Sequence, residues 1–347
     1  MQIGIVSLFY PPNILGGSVY VYNLKHALED LGVDIKLITS SESEEGDVKV
    51  KIPKVPGRGL YFQLKCLQSV KDIDIIHSFN TGAFLVPNKP IIEHIHHYDF
   101  TKTKCSWIRK QILITKEIFS YKRAVRVTTL SKIAAMDLEK AYGKKRIDII
   151  PCGVQKVYRP QYGDSTKILC AVGSPFLWRK GTEDLIEAFK IVRKRCPNVE
   201  LYITGEPIWD DEKEKMNVVI SKKEDGIHFT GKITKEELQT LYRECGMAVV
   251  PSRYEGFGMP ILDAMANKKA LVTTSVGIAN DLKNEDIAIV ESGNSLAMSE
   301  RIIELIENEK LRKRIANNGL EIAKRYTWKN AAKKCKKIYE EVWDKVK

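Results

Sequence analysis

The sequence predicts an α/β chain of two doubly wound parallel domains, and three observations carry that prediction. The chain has 347 residues, more than one average domain uses. Short apolar runs alternate with segments of helical periodicity, the pattern of parallel strands joined by crossover helices. The alternation breaks once, in IDIIPCGVQKVYRPQYGDSTK, where Pro151, Gly153, Pro160 and Gly163 interrupt a polar stretch. It then starts again, which is how a linker reads. The expected division is 1–155, 165–325 and a closing segment over 326–347.

In the first half, QIGIVSLF is a short apolar run and PPNILGGS a turn. VYVYNLKHALEDLG then places Val21, Leu24, Leu28 and Leu31 at helical spacing and stops at Gly32. VDIKLITS, DIDIIHSF, PIIEHIH and VRVTTLS follow as strands. After the linker come strand ILCAVGS, helix TEDLIEAFKIVRKR, strands VELYITG and IHFTG, helix TKEELQTLYREC, strand MAVVPS, helix MPILDAMANK, strand ALVTTS and a long helical tail. Two open sheets joined by one linker leave a cleft, and in such sheets ligands bind at the carboxyl ends of the strands.

Composition narrows the function classes. Hydrophobic residues make up 44% and charged residues 29%, as in ordinary globular domains. No apolar stretch reaches the ~18 residues of a membrane span, and MQIGIVSLFYPP has no leader character, so a cytoplasmic location is expected. Cys66, Cys105, Cys152, Cys170, Cys196, Cys245 and Cys335 are scattered without a C-x-x-C pair, indicating neither a disulfide framework nor zinc. The net charge of +12 calls for an anionic partner or surface. Residues 101–150 hold 13 Lys+Arg against 4 Asp+Glu, whereas residues 1–50 hold 3 against 7. The excess is local.

Loops after strands carry the candidate chemistry. Gly16 and Gly17 precede a helix with Ser18 as its expected N-cap; the pair suits a phosphate approached by bare backbone and a plain turn equally. AVGSPFLWRKGTEDL brings Arg179 and Lys180 to a helix start, where cations and free N–H groups suit a diphosphate; such a pair is also common as a solvated loop dipeptide. PSRYEGFGMPILDAMA sets Glu255 at a strand end, lets Gly256 and Gly258 turn tightly, and puts Pro260 and then Asp263 in a helix. The two acids can each accept from sugar hydroxyls, although Asp263 also simply suits a helix N-terminus. EHIHHYDF puts His94 and His96 on one face and His97 on the other, without further ligands for zinc.

These stretches together resemble glycosyltransferase family 4, the retaining nucleotide-sugar-dependent transferases of GT-B fold. PPNILGGSVYVYNLKHALEDLGVDIKLIT, PIIEHIHH, VTTLSK, IIPCGV, VGSPFLWRKGTEDLIEAF, IHFTGKITKEELQTLYREC, VVPSRYEGFGMPILDAMA and RYTWKNAAKKCKKIYEEVW occur in the family's order. The resemblance implies an N-terminal acceptor domain, a C-terminal donor domain and a last helix returning to the first. It assigns Glu255 to donor-sugar hydroxyls and the amides of Gly256, Phe257, Gly258 and Met259 to the sugar and diphosphate. Asp263 takes the second acid of an E-x7-E pattern, which holds the ribose, and Lys180 the lysine at the leaving diphosphate. Gly16 and Gly17 fall near donor phosphates and acceptor, His96 at the donor sugar, and Lys232 and Ile233 at the base. The implied donor is a UDP- or GDP-linked sugar, as substrate and not cofactor, with transfer to a lipid-linked or polysaccharide acceptor in glycolipid, surface-polysaccharide or glycan synthesis. Neither a metal nor a nucleic-acid partner is expected. A catalytically silent nucleotide-sugar-binding subunit and a sugar-nucleotide epimerase are the alternatives.

Departures accompany the match. Asp263 is one methylene shorter than the family's glutamate, and Ser174 stands where an arginine usually binds phosphate, with Arg179 available to replace it. Cys152 replaces the Asn of a PNG turn, and TGEP lacks one glycine. TKTKCSWIRKQILITKEIFSYKRAVR spaces Lys102, Arg109, Lys116 and Arg123 by seven, with Trp107, Ile114, Ile118 and Tyr121 roughly opposite. Two readings stand: a basic face on anionic membrane over 102–126, giving peripheral association with the inner face of the cell membrane, or an ordinary domain helix with its basic side in solvent.

Overall fold

The computed structural model of the chain describes residues 1–347 except 13–15, 41, 42, 44, 53–57, 80–85, 87, 97–106, 155–159, 208, 209, 222, 223 and 283–285. In chain order the elements are β1 (Gln2–Ser7), α1 (Gly16–Glu29), β2 (Asp34–Ser40), β3 (Val48–Val50), α2 (Arg58–Cys66), β4 (Ile75–Phe79), β5 (Ile91–His94), α3 (Trp107–Arg123), β6 (Arg126–Thr129), α4 (Lys132–Tyr142) and β7 (Ile147–Ile149). They continue with β8 (Asp164–Cys170), α5 (Thr182–Arg195), β9 (Glu200–Thr204), α6 (Asp210–Ser221), β10 (Ile227–Gly231), α7 (Lys235–Glu244), β11 (Cys245–Val250), α8 (Met259–Ala266), β12 (Ala270–Thr274), β13 (Ala288–Val290), α9 (Ser295–Glu307), α10 (Glu309–Ala323) and α11 (Trp328–Val346). One compact unit comprises Met1–Gly153 with Thr327–Lys347, the other Val154–Tyr326.

In the first unit the described strands form a seven-stranded sheet in the order β3-β2-β1-β4-β5-β6-β7, every pairing parallel. Ile3 sits in register with Ile35 on one side and Ile75 on the other. Ile3, Ile5, Val6, Leu37, Ile75 and Ile76 are fully buried, because helices cover both faces of such a sheet and leave no solvent side. Chain order reverses between β1 and β4, a topological switch point. Helix α1 begins at Gly16, so Ser18 is buried within its first turn and is not the cap expected from sequence; the two glycines already follow the helical path.

Helix α11 packs in this unit, although it lies at the far end of the chain. Tyr339 meets His77 Nδ1 at 2.7 Å, Lys336 donates to the Leu31 carbonyl at 3.2 Å, and Glu341 pairs with Arg126 of β6. Around its first turn lies an aromatic cluster. Tyr20 stacks on His94 at 4.6 Å and meets Trp328 at 5.5 Å, while His94 and His96 stand 4.6 Å apart. The two histidines do share a face, and His97 lies outside the described residues.

Helix α3 corrects the expected face assignment. Its inner side carries Glu117, Ser120 and Tyr121, all buried, with Glu117 accepting from the Tyr142 hydroxyl at 2.7 Å. Trp107 is 73% exposed, Ile112 50% and Phe119 52%, so Trp107 does not join Tyr121 in the core. Lys116 is half-buried and Arg123 exposed, donating to the Val86 carbonyl. Lys102 lies outside the described residues. The outer surface of α3 therefore mixes cations with large apolar groups instead of segregating them.

In the second unit six described strands run parallel in the order β10-β9-β8-β11-β12-β13, with the switch point between β8 and β11. Met247 of β11 aligns with Ile168 on one side and Ala270 on the other. These residues, with Leu201, Val249, Val272, Leu185 and Phe189, form its core. Lys269 is buried at 1% exposure and donates to the carbonyls of Gln161 and Cys245. Burial lowers its pKa to about 8, and the two carbonyls hold the ammonium of this residue, one before β12 begins, near the start of β11.

Candidate functional site

The β8/β11 switch point places two loops side by side, one after each strand. After β8 the chain runs through Ser174 into a tight helical turn, Trp178–Lys180, and starts α5 at Thr182. After β11 it runs through Pro251 to Gly258 and starts α8 at Met259. Gly181 joins the turn to α5 at φ +63, and a Cβ there would lie 2.0 Å from the Pro251 carbonyl oxygen. Only glycine permits that approach. The loops are further joined where the amides of Arg253 (2.8 Å) and Tyr254 (3.3 Å) donate to the Arg179 carbonyl.

This contact pairs two residues that lie 75 positions apart. Lys180 Nζ donates to Glu255 Oε1 at 2.7 Å, Ser252 Oγ donates to the same oxygen at 2.8 Å, and Arg179 Nη1 lies 3.5 Å from Glu255 Oε2. The side chains of Lys180 and Glu255 are only 10% and 9% exposed. Burial alone would raise the Glu255 pKa, but the charges of Lys180 and Arg179 with the bonds from Lys180 and Ser252 outweigh it and hold the carboxyl below its ordinary value. Glu255 is thus an ionised, acceptor-only group at neutral pH.

Asp263 differs. It lies in α8, whose N-cap Gly258 adopts φ +86 and whose first turn contains Pro260, and no described residue donates to its side-chain carboxyl. Burial pushes its pKa up to about 7. The two acids of one segment are drawn apart by environment, the pattern of groups placed for different tasks. A raised acid pKa means that the folded state holds a proton the unfolded chain has lost, so stability falls as pH rises from about 4 to 7. At pH 8 the cost is at most ~4 kcal/mol; since the residue keeps some solvent contact, Asp263→Asn is expected to stabilise by about 1–2 kcal/mol. Thermal denaturation at pH 8 and pH 6 checks this: the gain shrinks at pH 6.

Two family models cover most of the chain. The model for group 1 glycosyl transferases matches residues 157–322, and that for glycosyltransferase family 4 matches residues 14–156. An uncharacterized glycosyltransferase of Methanocaldococcus jannaschii is 30% identical, covering 99% of this chain and 99% of its own. The chain belongs to the group 1 glycosyltransferases of family 4. The MMP alpha-(1->4)-mannosyltransferase of Mycolicibacterium hassiacum is 23% identical over 98% of each chain. Sucrose-phosphate synthase of Thermosynechococcus elongatus superposes with TM-score 0.79 at 19% identity over 99% of each chain. HepE of Anabaena, solved with UDP-glucose, gives 0.74 at 16% identity over 98% of this chain and 100% of its own. The two Rossmann-like units are those of the GT-B fold.

Within this glycosyltransferase, the second unit brings together Arg179, Lys180, Glu255, Gly256, Phe257, Gly258 and Met259 around the β8/β11 switch. Phe257 is a buried packing group, 3% exposed and 6.2 Å from Tyr326. Ser174 is buried at 4%, and the cations that face Glu255 are Lys180 and Arg179 of the turn that follows. Lys232 is exposed and Ile233 half-buried, between Gly231 and the capping box of Thr234 and Glu237 that starts α7. Gly16, Gly17 and His96 belong to the first unit. Gly16 is exposed with open space where a Cβ would sit. His96 follows β5 by two residues, and burial of its ring lowers its pKa to about 4. Among the described residues no three of His, Cys, Asp and Glu converge to hold a metal ion.

Sequence reasoning missed Ser252, Arg253 and Asp184. Ser252 was legible in principle, as a hydroxyl three residues before Glu255 in a turn. Arg253 and Asp184, 69 positions apart, carry no local signal that they meet.

Proposed function

We propose that this enzyme transfers a sugar, with retention of anomeric configuration, from a UDP- or GDP-linked donor to an acceptor hydroxyl. The observation that carries the reading is the set of buried Lys180 and Ser252 with half-buried Arg179 around Glu255, at the switch point where α/β sheets bind ligands. The bond from anomeric carbon to the diphosphate breaks, the acceptor oxygen bonds to that carbon on the same face, and the acceptor proton passes to a phosphate oxygen of the departing nucleoside diphosphate. Lys180, Arg179 and the amides of Gly256 to Met259 stabilise the leaving charge, Glu255 accepts from sugar hydroxyls, and Asp263 holds the ribose. Such fixed donors need no metal to do this electrostatic work. Gly16, Gly17 and His96 serve the acceptor and donor sugar, and Lys232 with Ile233 the base.

Mannosyl groups come first among candidate sugars, because relatives include the mannosyltransferase of Mycolicibacterium hassiacum and a phosphatidyl-myo-inositol mannosyltransferase of Mycobacterium leprae. A panel of GDP- and UDP-sugars in thermal-shift assays, followed by donor hydrolysis, tests the reading. A true donor at 100 times its Kd stabilises by about 2.7 kcal/mol; no shift with any donor, together with wild-type behaviour of Glu255→Ala, would sink it.

A lipid-linked or polysaccharide acceptor completes the proposal, with α3 resting on an anionic membrane surface. Trp107, Ile112 and Phe119 would enter the interface while Lys116 and Lys122 meet lipid charge, each cation contributing about 1 kcal/mol. Co-sedimentation with phosphatidylglycerol vesicles at low salt is expected, weakened by Ile112→Ser with Phe119→Ser. Equal recovery with neutral vesicles removes the role of the cations, and no recovery with either argues for the ordinary domain helix.

A further inference from the structure

We propose that Arg253 is a positioning residue, which holds the turn bearing Arg179 and Lys180 against the loop bearing Glu255. The inference rests on the transferase reading for its consequence in rate, and on geometry alone for its structural content. Arg253 occupies the centre of the junction between the loops. Its Nε and Nη2 donate to Asp184 Oδ2 and Oδ1 at 2.9 and 2.6 Å, and Nη1 donates to the Trp178 carbonyl at 3.2 Å. Its guanidinium lies 5.5 Å from the Trp178 ring, and its own amide donates to the Arg179 carbonyl. One residue therefore grips the turn by its first residue's ring and carbonyl, by its middle residue's carbonyl, and by the first turn of the helix that follows.

An exposed ion pair of this kind would contribute little. Here the side chains of Arg253 and Asp184 are 20% and 14% exposed, and the contact is a planar fork on a carboxylate. Three of the five guanidinium donors are used toward two elements, which an ammonium cannot reproduce. Lys180 follows Trp178 by two residues, so loosening the turn moves the ammonium relative to Glu255, whose neighbours are Lys180 and Arg179 from the turn and Ser252 from its own loop. A misplacement of about 1 Å in such a site costs on the order of 10² in rate.

Arg253→Lys, Arg253→Ala, Asp184→Asn and the Arg253→Ala/Asp184→Asn double variant form the test. Expected are a roughly 10–100-fold fall in kcat with little change in donor KM, an acid limb of the pH–rate profile shifted upward as Glu255 loses its cations, and a double variant no slower than either single one. Labelling of Lys180 by an amine reagent, read by mass spectrometry, gives a second measure that needs no turnover: Lys180 reacts faster in Arg253→Lys than in wild type. Wild-type kcat and acid limb in Arg253→Lys overturn the positioning role. If the wild type itself turns over no donor, the transferase reading fails, and unchanged Lys180 labelling then overturns this inference separately.

Discussion

Replacing Lys180 by methionine is expected to lower donor turnover by ~10²–10³, and Glu255→Gln by a comparable factor, for two different reasons. Removing one preorganised donor from a developing anion typically costs that much. Methionine keeps the length and much of the volume of the lysine stem, so the 10%-exposed site stays filled and the loss reports charge. It also leaves Glu255 buried with Arg179 3.5 Å away and Ser252 at 2.8 Å, and the carboxyl pKa rises because burial is then opposed by fewer charges. Glu255→Gln has the reverse effect: it keeps the shape but leaves two cations facing a neutral amide. The double variant distinguishes a pair acting together from two separate roles. If Lys180 serves mainly the diphosphate and Glu255 mainly the sugar, the losses add; if their pairing is what matters, the second substitution adds little. Single-turnover rates at saturating donor measure this. A Lys180→Met enzyme with wild-type kcat would remove the lysine from the leaving-group site.

Much of this site was legible in the sequence because its signals are local. Glu255, Gly256 and Gly258 stand out by residue type, as do Arg179 and Lys180 before a helix start. The near-continuous apolar runs of parallel strands made both sheets legible, since strands buried on both faces cannot hide their character. What was not legible is distance across the sheet. That β8 and β11 are neighbours follows from crossover order, and only that adjacency brings Lys180 onto Glu255 or Arg253 onto Asp184. The three-residue strands β3, β7 and β13 are too short to show a period. Helix α3 misled for a physical reason: a helix that buries Glu117 and Ser120 while exposing Ile112 and Phe119 does not follow its own hydrophobic pattern, and periodicity assumes that it does.

Acidification is expected to destabilise the first unit far more than ordinary surface titration would, through three histidines. Burial lowers the His77 pKa to about 3, with the neighbouring His96 adding to it; burial lowers His96 to about 4 and holds His94 well below its ordinary value, with His96 and His77 contributing. His77 and His94 are fully buried, each with Nδ1 bound, to the Tyr339 hydroxyl and to Thr128 Oγ1 respectively. Folded pKa values below the unfolded value of ~6.5 mean that the unfolded chain takes up protons first. Stability is therefore fully present above about pH 7.5 and is lost as pH falls through 6.5. At pH 5 each neutral histidine costs ~2 kcal/mol, or about 6 kcal/mol for three. Glu117 opposes them: burial raises its pKa to about 7 despite the bond from Tyr142, so its folding penalty eases by ~2 kcal/mol between pH 7 and pH 5. The net loss of ~4 kcal/mol is a large share of a typical 5–15 kcal/mol. Hydrogen exchange of the β4 and β5 amides between pH 7.5 and pH 5, corrected for intrinsic rates, reads this unit separately from the other. His77→Asn should remove about one third of the histidine-linked slope whatever it does to stability at pH 7.5. A protection free energy that stays flat from pH 7.5 to 5 would mean that the three rings are hydrated or already charged in the folded unit.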